Sequence, residues 1–425
     1  MKSLAMKTLL PAFTFLMALT TAACGAEQSI EDHAKDLQKI IITIDTHTDI
    51  PTFFASPRYD PSQSNPPPVL VDLPRMKSGG LDAVFFIAYV DQTRRGATGY
   101  AEAASEAFAK FAAIHRMTDE LYSKDVGLAL TSADIRRIHG QGKSVALIGI
   151  ENGYSIGKDL SLMDAYYDLG ARYFGLVHNG HNDIADSAQP RKDLGDKTND
   201  EGGEHGGLSD FGRKAIAHAN DLGLMVDVSH SAKSTTLQAI AASRVPVIAS
   251  HSAVFALNPH PRNMSDEEMK ALAAKGGVIQ IVAFDEYLRP MDPEKKKLRG
   301  ALAKSLGFTS LDAIFDADAA TKKKFFDGIA ELNKKYPRAD VKLLVDHIDY
   351  AVKLIGVDHV GIASDFQGGG GIAGWTDASE TFHVTEEMIR RGYADEDIGK
   401  IWGGNLMRVM DEVSAVRAYG ADLRL

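Results

Sequence analysis

Six stretches of this chain each end an apolar, β-rich run on a side chain that can bind a metal or carry a proton. They are Asp45-Thr46-His47-Thr48-Asp49, Gly149-Ile150-Glu151, Leu176-Val177-His178, Asp227-Val228-Ser229-His230, Ala249-Ser250-His251 and Gly361-Ile362-Ala363-Ser364-Asp365. His47 and Asp49 stand at i and i+2, which puts both side chains on one face of an ending strand, so that both can ligate one ion. Imidazole plus carboxylate suits Zn²⁺. The competing reading is a solvated strand end with an Asx-turn at Asp49 ahead of Pro51, and Asp45, facing the other way, reads as support. Glu151 emerges from a core run, where its two oxygens can bridge two cations or the carboxylate can cap a helix. His230 and His251, taken singly, read as hydrogen-bonded polar residues. Taken together, His47, Asp49, Glu151, His230 and His251 form one ligand constellation.

The remaining candidates suit proton transfer and substrate binding. His178 is not needed as a ligand and is placed to donate to an oxyanion. Asp365 is a candidate general acid/base or a further ligand. The glycines at 368–371 provide flexibility or close backbone approach, and no Lys-Ser/Thr follows them as a phosphate loop would require. Arg262, in the Pro-rigidified run Asn258-Pro259-His260-Pro261-Arg262-Asn263, can grip a carboxylate in bidentate fashion or be a surface arginine. His181, His205 and His260 read as bystanders.

Side chains of this kind at the carboxyl ends of successive buried strands require a scaffold whose loops converge on one face, as in a (β/α)8 barrel. Eight apolar runs fit that scaffold, at roughly 40–46, 82–90, 145–150, 172–177, 223–228, 246–250, 277–282 and 359–363. They are continuous rather than alternating, as strands buried on both faces are. Segments such as 101–119 and 210–222 supply amphipathic helices between them. The predicted fold is therefore an α/β (β/α)8 TIM-like barrel with long insertions in its βα loops. Those insertions are the Pro-rich 55–72, the Gly-rich 183–209 and a Lys-rich helical segment at about 285–340. Loops this long are usually lids or binding loops. The residues alone thus point to a barrel-borne metal hydrolase.

Composition narrows the class further. At 425 residues the chain is within the range of one barrel with insertions, so residues 24–425 read as a single catalytic domain. Forty-seven basic against fifty-seven acidic residues give a net charge of −10, and no basic cluster suggests nucleic-acid binding. Lys2 and Lys7 precede an apolar run over 8–20 that is too short to span a bilayer, so residues 1–23 read as an export signal. Cys24, the one cysteine, follows Thr21-Ala22-Ala23. It is either the lipidated first residue of a lipoprotein or adjacent to an ordinary cleavage site, and in neither case can a disulfide form. The expected location is the bacterial periplasm, free or anchored in the membrane through Cys24.

The chain resembles the zinc-dependent membrane (renal-type) dipeptidases of the amidohydrolase-like barrels. The segments carrying the likeness run through nearly the whole mature chain: Asp-Thr-His-Thr-Asp-Ile-Pro at 45–51, Gly-Leu-Ser-Asp-Phe-Gly at 207–212, Asp-Val-Ser-His at 227–230, Ser-His-Ser at 250–252, Pro-Arg-Asn at 261–263 and Gly-Asn-Leu-Met-Arg-Val at 404–409. The resemblance implies two Zn²⁺ per chain, one held by His47 and Asp49, the other by His230 and His251, with Glu151 bridging. It implies that His178 and Arg262 bind substrate and that Asp365 assists proton transfer. Two zincs roughly 3.5 to 4 Å apart share a hydroxide that attacks the scissile carbonyl. The implied substrates are dipeptides, with those carrying a C-terminal D-residue among the candidates, and a homodimer is an open alternative to the monomer. Two departures stand out. Gln367 replaces a frequent acidic residue, and the 285–340 insertion exceeds that of the animal enzymes, so substrate preference does not transfer. The alternatives are another metal-dependent amidohydrolase, such as an N-acyl-amino-acid deacylase or a lactonase, and an exported binding protein without catalysis.

Overall fold

Neighbouring residues of the apolar runs belong to different cores, and that is why the runs form strands hidden on both faces. Phe85, Ile87, Val145, Leu147, Tyr173, Met225, Ile248 and Val278 pack with Ile44 into one cluster that fills the barrel. Val84, Phe86, Ala146, Ile148, Phe174, Val226, Ala249 and Ile279 pack outward beneath the helices. With a side-chain period of two, each strand must be apolar throughout to satisfy both.

The computed structural model describes residues 29–308 and 311–422, together with Met1. The expectations for an export signal at 1–23 and for Cys24 lie outside the described residues. Among the described residues there are nine strands: β1 Ile44–Asp49, β2 Ala83–Tyr89, β3 Val126–Leu128, β4 Ser144–Glu151, β5 Ala171–Gly175, β6 Met225–Asp227, β7 Ile248–Ser252, β8 Val278–Val282 and β9 Val360–Ala363. Eight of them run in the order β1-β2-β4-β5-β6-β7-β8-β9, all parallel. The ring closes where the Asp49 N–H donates to the Phe366 carbonyl at 3.0 Å. This is the expected (β/α)8 architecture.

Three details differ from expectation. The first run begins at Ile44 and extends to Asp49, because pairing with β2 starts at Ile44 opposite Ala83; Ile40 is 79% exposed. The run expected at 246–250 is shifted to Ile248–Ser252 by its pairing with β8. Consequently His47, Asp49 and His251 lie inside strands rather than beyond them. The third difference is β3, which pairs with the first residues of β4 and was not expected; three residues, Val-Gly-Leu, carry no periodicity to read.

The helix expected at 101–119 runs from Ala97 to His115 and continues as a π-turn, Arg116–Leu121, while Asp210–Leu222 is helical as read. The 285–340 segment contains helices Asp285–Leu288, Pro293–Ser305, Leu311–Asp316 and Ala319–Lys335. The helix Asn405–Asp422 plugs the opposite end of the barrel. Leu406, Val409 and Val413 enter the interior cluster, and the Asn405 side-chain amide donates to the Val357 and Val360 carbonyls at 2.7 and 2.8 Å.

Candidate active site

All eight candidate residues come together at the carboxyl end of the barrel. Glu151, at the end of β4, turns one carboxylate oxygen to each side: Oε2 lies 3.4 Å from His47 Nε2, and Oε1 lies 3.0 Å from His230 Nε2 and 3.4 Å from His251 Nε2. The Nε2 atoms of His230 and His251 are 3.0 Å apart. Atoms of His178 join Glu151 and His230 within 4.8 Å, and Asp49 and Asp365 join His47 at the same spacing.

The tautomers follow from what stands behind the rings. Ser250 Oγ donates to Asp227 Oδ2 at 2.7 Å, so it must accept from His251 Nδ1–H, 2.9 Å away, leaving a lone pair on Nε2. Tyr173 OH donates to the Thr46 carbonyl at 3.1 Å and accepts from His47 Nδ1–H at 3.0 Å, which leaves the lone pair of His47 on its own Nε2. That Nε2 is buried without a hydrogen-bond partner. Lone pairs and a carboxylate converging on one point repel unless a cation lies among them, and fixed imidazoles with carboxylates are a donor set for zinc.

Electrostatics point the same way. Burial opposes charge on His47, but Glu151 and Asp49 with Asp365 hold its pKa up at about 10, so a proton takes that lone pair unless another cation does. His230 and His251 are held well below the usual imidazole range by burial and by the nearby Arg262. Burial, reinforced by the charges of Asp49 and Glu151, pushes the Asp365 carboxyl well above the usual range, against His47 and Arg262. Burial likewise lowers His178.

Local backbone carries strain here. His230 and Asp365 occupy the left-handed region at φ 66° and 55°, costing of order 1–3 kcal/mol each. Two glycines make room. A side chain at Gly149 would strike the Tyr173 ring that crosses the barrel to His47, and one at Gly368 would strike the Asp49 and Asp365 carboxylates. Close approach is thus what the Gly run provides at its first position.

The site opens into a cavity of about 600 Å³, with Tyr89, Lys110, Phe284, Tyr287 and Phe315 on its walls. Arg262 is buried behind Tyr287, its Cζ 5.2 Å from that ring; Nη2 donates to the His251 carbonyl at 3.2 Å, and Nε has no hydrogen-bond partner. It makes no ion pair among the described residues. His181 and His205 fasten the 183–209 loop through the Lys197 and Asn182 carbonyls, and His260 packs on Tyr287.

Several site residues escaped the sequence reading. Tyr173 orients the His47 ring, and Asp227 orients that of His251 through Ser250. Lys110 lies buried against Tyr89, donating to its carbonyl at 2.7 Å. Gln367 holds the metal-side loop. Its Nε2 donates to the Asp49 carbonyl at 2.5 Å, while Oε1 accepts from Tyr59 OH, Leu70 N and Val71 N at 2.9, 3.1 and 3.3 Å. The serine directly before His251 and before Asp365, each bound by an aspartate of a neighbouring strand, was a readable signal for Asp227 and Asp45.

The sequence model for membrane dipeptidases, peptidase family M19, matches residues 31–421. The dipeptidase AclJ of Aspergillus oryzae is 32% identical over 358 residues, 83% of this chain and 72% of its own. The dipeptidase VerJ of Clonostachys rogersoniana is 31% identical over 386 residues, 88% of this chain and 84% of its own. Among solved structures, the probable dipeptidase PvdM from Pseudomonas aeruginosa superposes with a TM-score of 0.79 at 34% identity, covering 91% of this chain and 99% of that one. A Rhodobacter sphaeroides metallo peptidase liganded with a phosphinate mimic of L-Ala-D-Ala shares the fold, with a TM-score of 0.68 at 20% identity over 88% of this chain and 99% of that one.

Proposed function

Because the chain belongs to the membrane dipeptidase family, peptidase family M19, we propose that it is an exported zinc dipeptidase that uses two metal ions on free dipeptides. Its class, a metal-dependent hydrolase of the dipeptidase type, follows from that membership. The finer reading is supported chiefly by Glu151, whose Oε2 faces His47 while its Oε1 faces His230 and His251. When bound, a zinc pair supplies an acidified water as nucleophile and a Lewis acid for the scissile carbonyl.

The chain's own residues do the rest. His178, kept neutral by burial, offers an N–H to the oxyanion that develops at the carbonyl. Asp365 carries the proton through the reaction: it takes it from the attacking water and gives it to the leaving amine, which must be protonated to depart. The raised pKa of its carboxyl suits the proton-bearing half of that cycle. Arg262, a buried guanidinium without an ion-pair partner among the described residues, takes the substrate's terminal carboxylate. This selects dipeptides, because a longer chain would carry its carboxylate away from the scissile bond. Export is supported by the basic start and short apolar run of residues 1–23.

The test is a panel of L-L and L-D dipeptides, with and without N-acetylation, assayed alongside zinc analysis. Two zinc equivalents and preferred hydrolysis of the free dipeptides are expected. Faster cleavage of the N-acetylated forms would replace this reading with a deacylase, and metal content without turnover would leave a binding protein.

A further inference from the structure

A second cavity, of about 340 Å³, lies beneath the inserted helices. Its volume is at the lower end of the roughly 300–1,000 Å³ of small-molecule sites. Its apolar walls come from separate segments: Leu70 from the loop after β1, Met291 and Ile314, and Phe325 and Ile329 of the helix Ala319–Lys335.

The charges around it do not balance. Its two carboxylates are already engaged: Asp285 accepts from Lys295 Nζ at 2.7 Å and Ala339 N at 2.6 Å, and Asp377 meets Arg75 Nε at 3.3 Å and Ser379 N at 2.9 Å. Arg338 spends one donor on the Gly371 carbonyl, and Arg299 makes no hydrogen bond or ion pair among the described residues. Burial and the charge of the exposed Arg299 oppose the charge of Arg338, and Asp285 offsets them only in part. Apolar walls beside guanidiniums with donors to spare among the described residues fit a carboxylate with an apolar body, since the planar fork pairs with the planar carboxylate. A free dipeptide would be disfavoured there, because its ammonium would face those cations.

Only a thin wall separates this cavity from the catalytic one. Phe284 and Gln367 line both. The Phe284 ring stacks on Tyr287 with centroids 4.3 Å apart, and its edge fills the space that a side chain at Gly369 would need. We propose that the cavity under the insertion is a second ligand site, distinct from the catalytic centre, for a small apolar carboxylate. Its occupant stands against the far faces of the two residues whose near faces bound the dipeptide cavity.

The experiment is calorimetric titration of the full chain with octanoate, with octylamine as the cationic counterpart, in zinc-loaded and chelator-stripped protein. Two variants outside the catalytic machinery accompany it: Arg299→Glu, which reverses an exposed charge, and Ile329→Trp, which fills the cavity. The expected result is octanoate binding that survives stripping, no octylamine binding, and affinity lowered about tenfold or more in each folded variant, in Arg299→Glu by loss of a charge-assisted contact and in Ile329→Trp by loss of the space. Hydrolysis of a small dipeptide in the absence of octanoate should be unchanged in both. The proposal is overturned if octanoate does not bind at millimolar concentration or binds only with zinc present. It is equally overturned if octylamine binds as tightly or if both variants keep wild-type affinity.

Discussion

Asp365 is buried at φ 55°, and burial with the charges of Asp49 and Glu151 raises its carboxyl pKa well above the usual range. Asp365→Asn keeps the volume but cannot accept and pass on a proton, so zinc content should be unchanged and kcat should fall about 10²- to 10⁴-fold; a rate within a few-fold of wild type would assign the proton to another group. Arg262→Ala should cost roughly 1.5 to 3 kcal/mol in kcat/KM on free dipeptides. It should cost little on dipeptide amides, which lack the carboxylate, and equal damage to both substrates would make the residue structural. Gln367 uses both ends of its amide, donating to the Asp49 carbonyl and accepting from Tyr59, Leu70 and Val71. A carboxylate satisfies the second role and contradicts the first, because it turns an oxygen against a carbonyl. Gln367→Glu should therefore lose about 1–3 kcal/mol of stability and bind zinc less completely; a variant with unchanged melting and zinc content would show that the frequent acidic residue is interchangeable here.

Between strands, buried polar side chains set how the site-bearing ends lie. Asp227 accepts from Ser229 N and Ser250 N at 3.0 and 2.8 Å, and Asp45 accepts from Ser364 N at 2.8 Å, so each aspartate couples its strand to the next residue that carries chemistry. His347 performs a similar task for the loop after β7. Its Nδ1 accepts from Val254 N at 3.1 Å, so Nε2 bears the proton and donates to the Leu288 carbonyl at 2.9 Å. Accepting from Val254 requires the neutral ring, whereas the bond to Leu288 survives protonation; burial outweighs the latter and lowers the pKa from 6.5 to about 4. The unfolded chain takes up this proton first on acidification. The stabilisation is accordingly complete above about pH 6.5 and is lost as pH falls through about 4, at most some 3 kcal/mol. His347→Gln should be less stable at pH 7, and its urea midpoint should fall less steeply than that of wild type between those pH values. Parallel slopes would remove His347 from the account of acid sensitivity.

For the molecule as a whole, the barrel's mouth gathers Asp49, Glu151 and Asp365 with four histidines in a buried space. Such a cluster destabilises the fold unless cations neutralise it, so zinc should act as a stabilising ligand as well as a cofactor. A ligand at a thousandfold its Kd adds about 4 kcal/mol. Stripping the metal should lower the Tm by several degrees and abolish dipeptide hydrolysis, with Zn²⁺ restoring both. An unshifted melting curve in verifiably metal-free protein would contradict that reading.

Fold class was legible because strands buried on two faces must be apolar throughout, and eight such runs leave few other architectures. The site was legible because polar residues that terminate such runs have one common destination, the carboxyl rim of the barrel. Pairing was not legible: β3 is too short to show a period, and the bounds of β1 and β7 were decided by their neighbours, Ala83 and Val278, far away in sequence. Nor was the support of the ligands, since Tyr173 reaches His47 from across the barrel through space that Gly149 leaves open. Sequence by itself determined which side chains meet, through periodicity and chain order. Tertiary structure decided which nitrogen of each imidazole faces the centre, how Gln367 holds Asp49, and that the insertion encloses a second cavity. Those depend on side-chain contacts in space, Tyr173 with His47 and Gln367 with Asp49 across 126 and 318 positions, that periodicity does not encode.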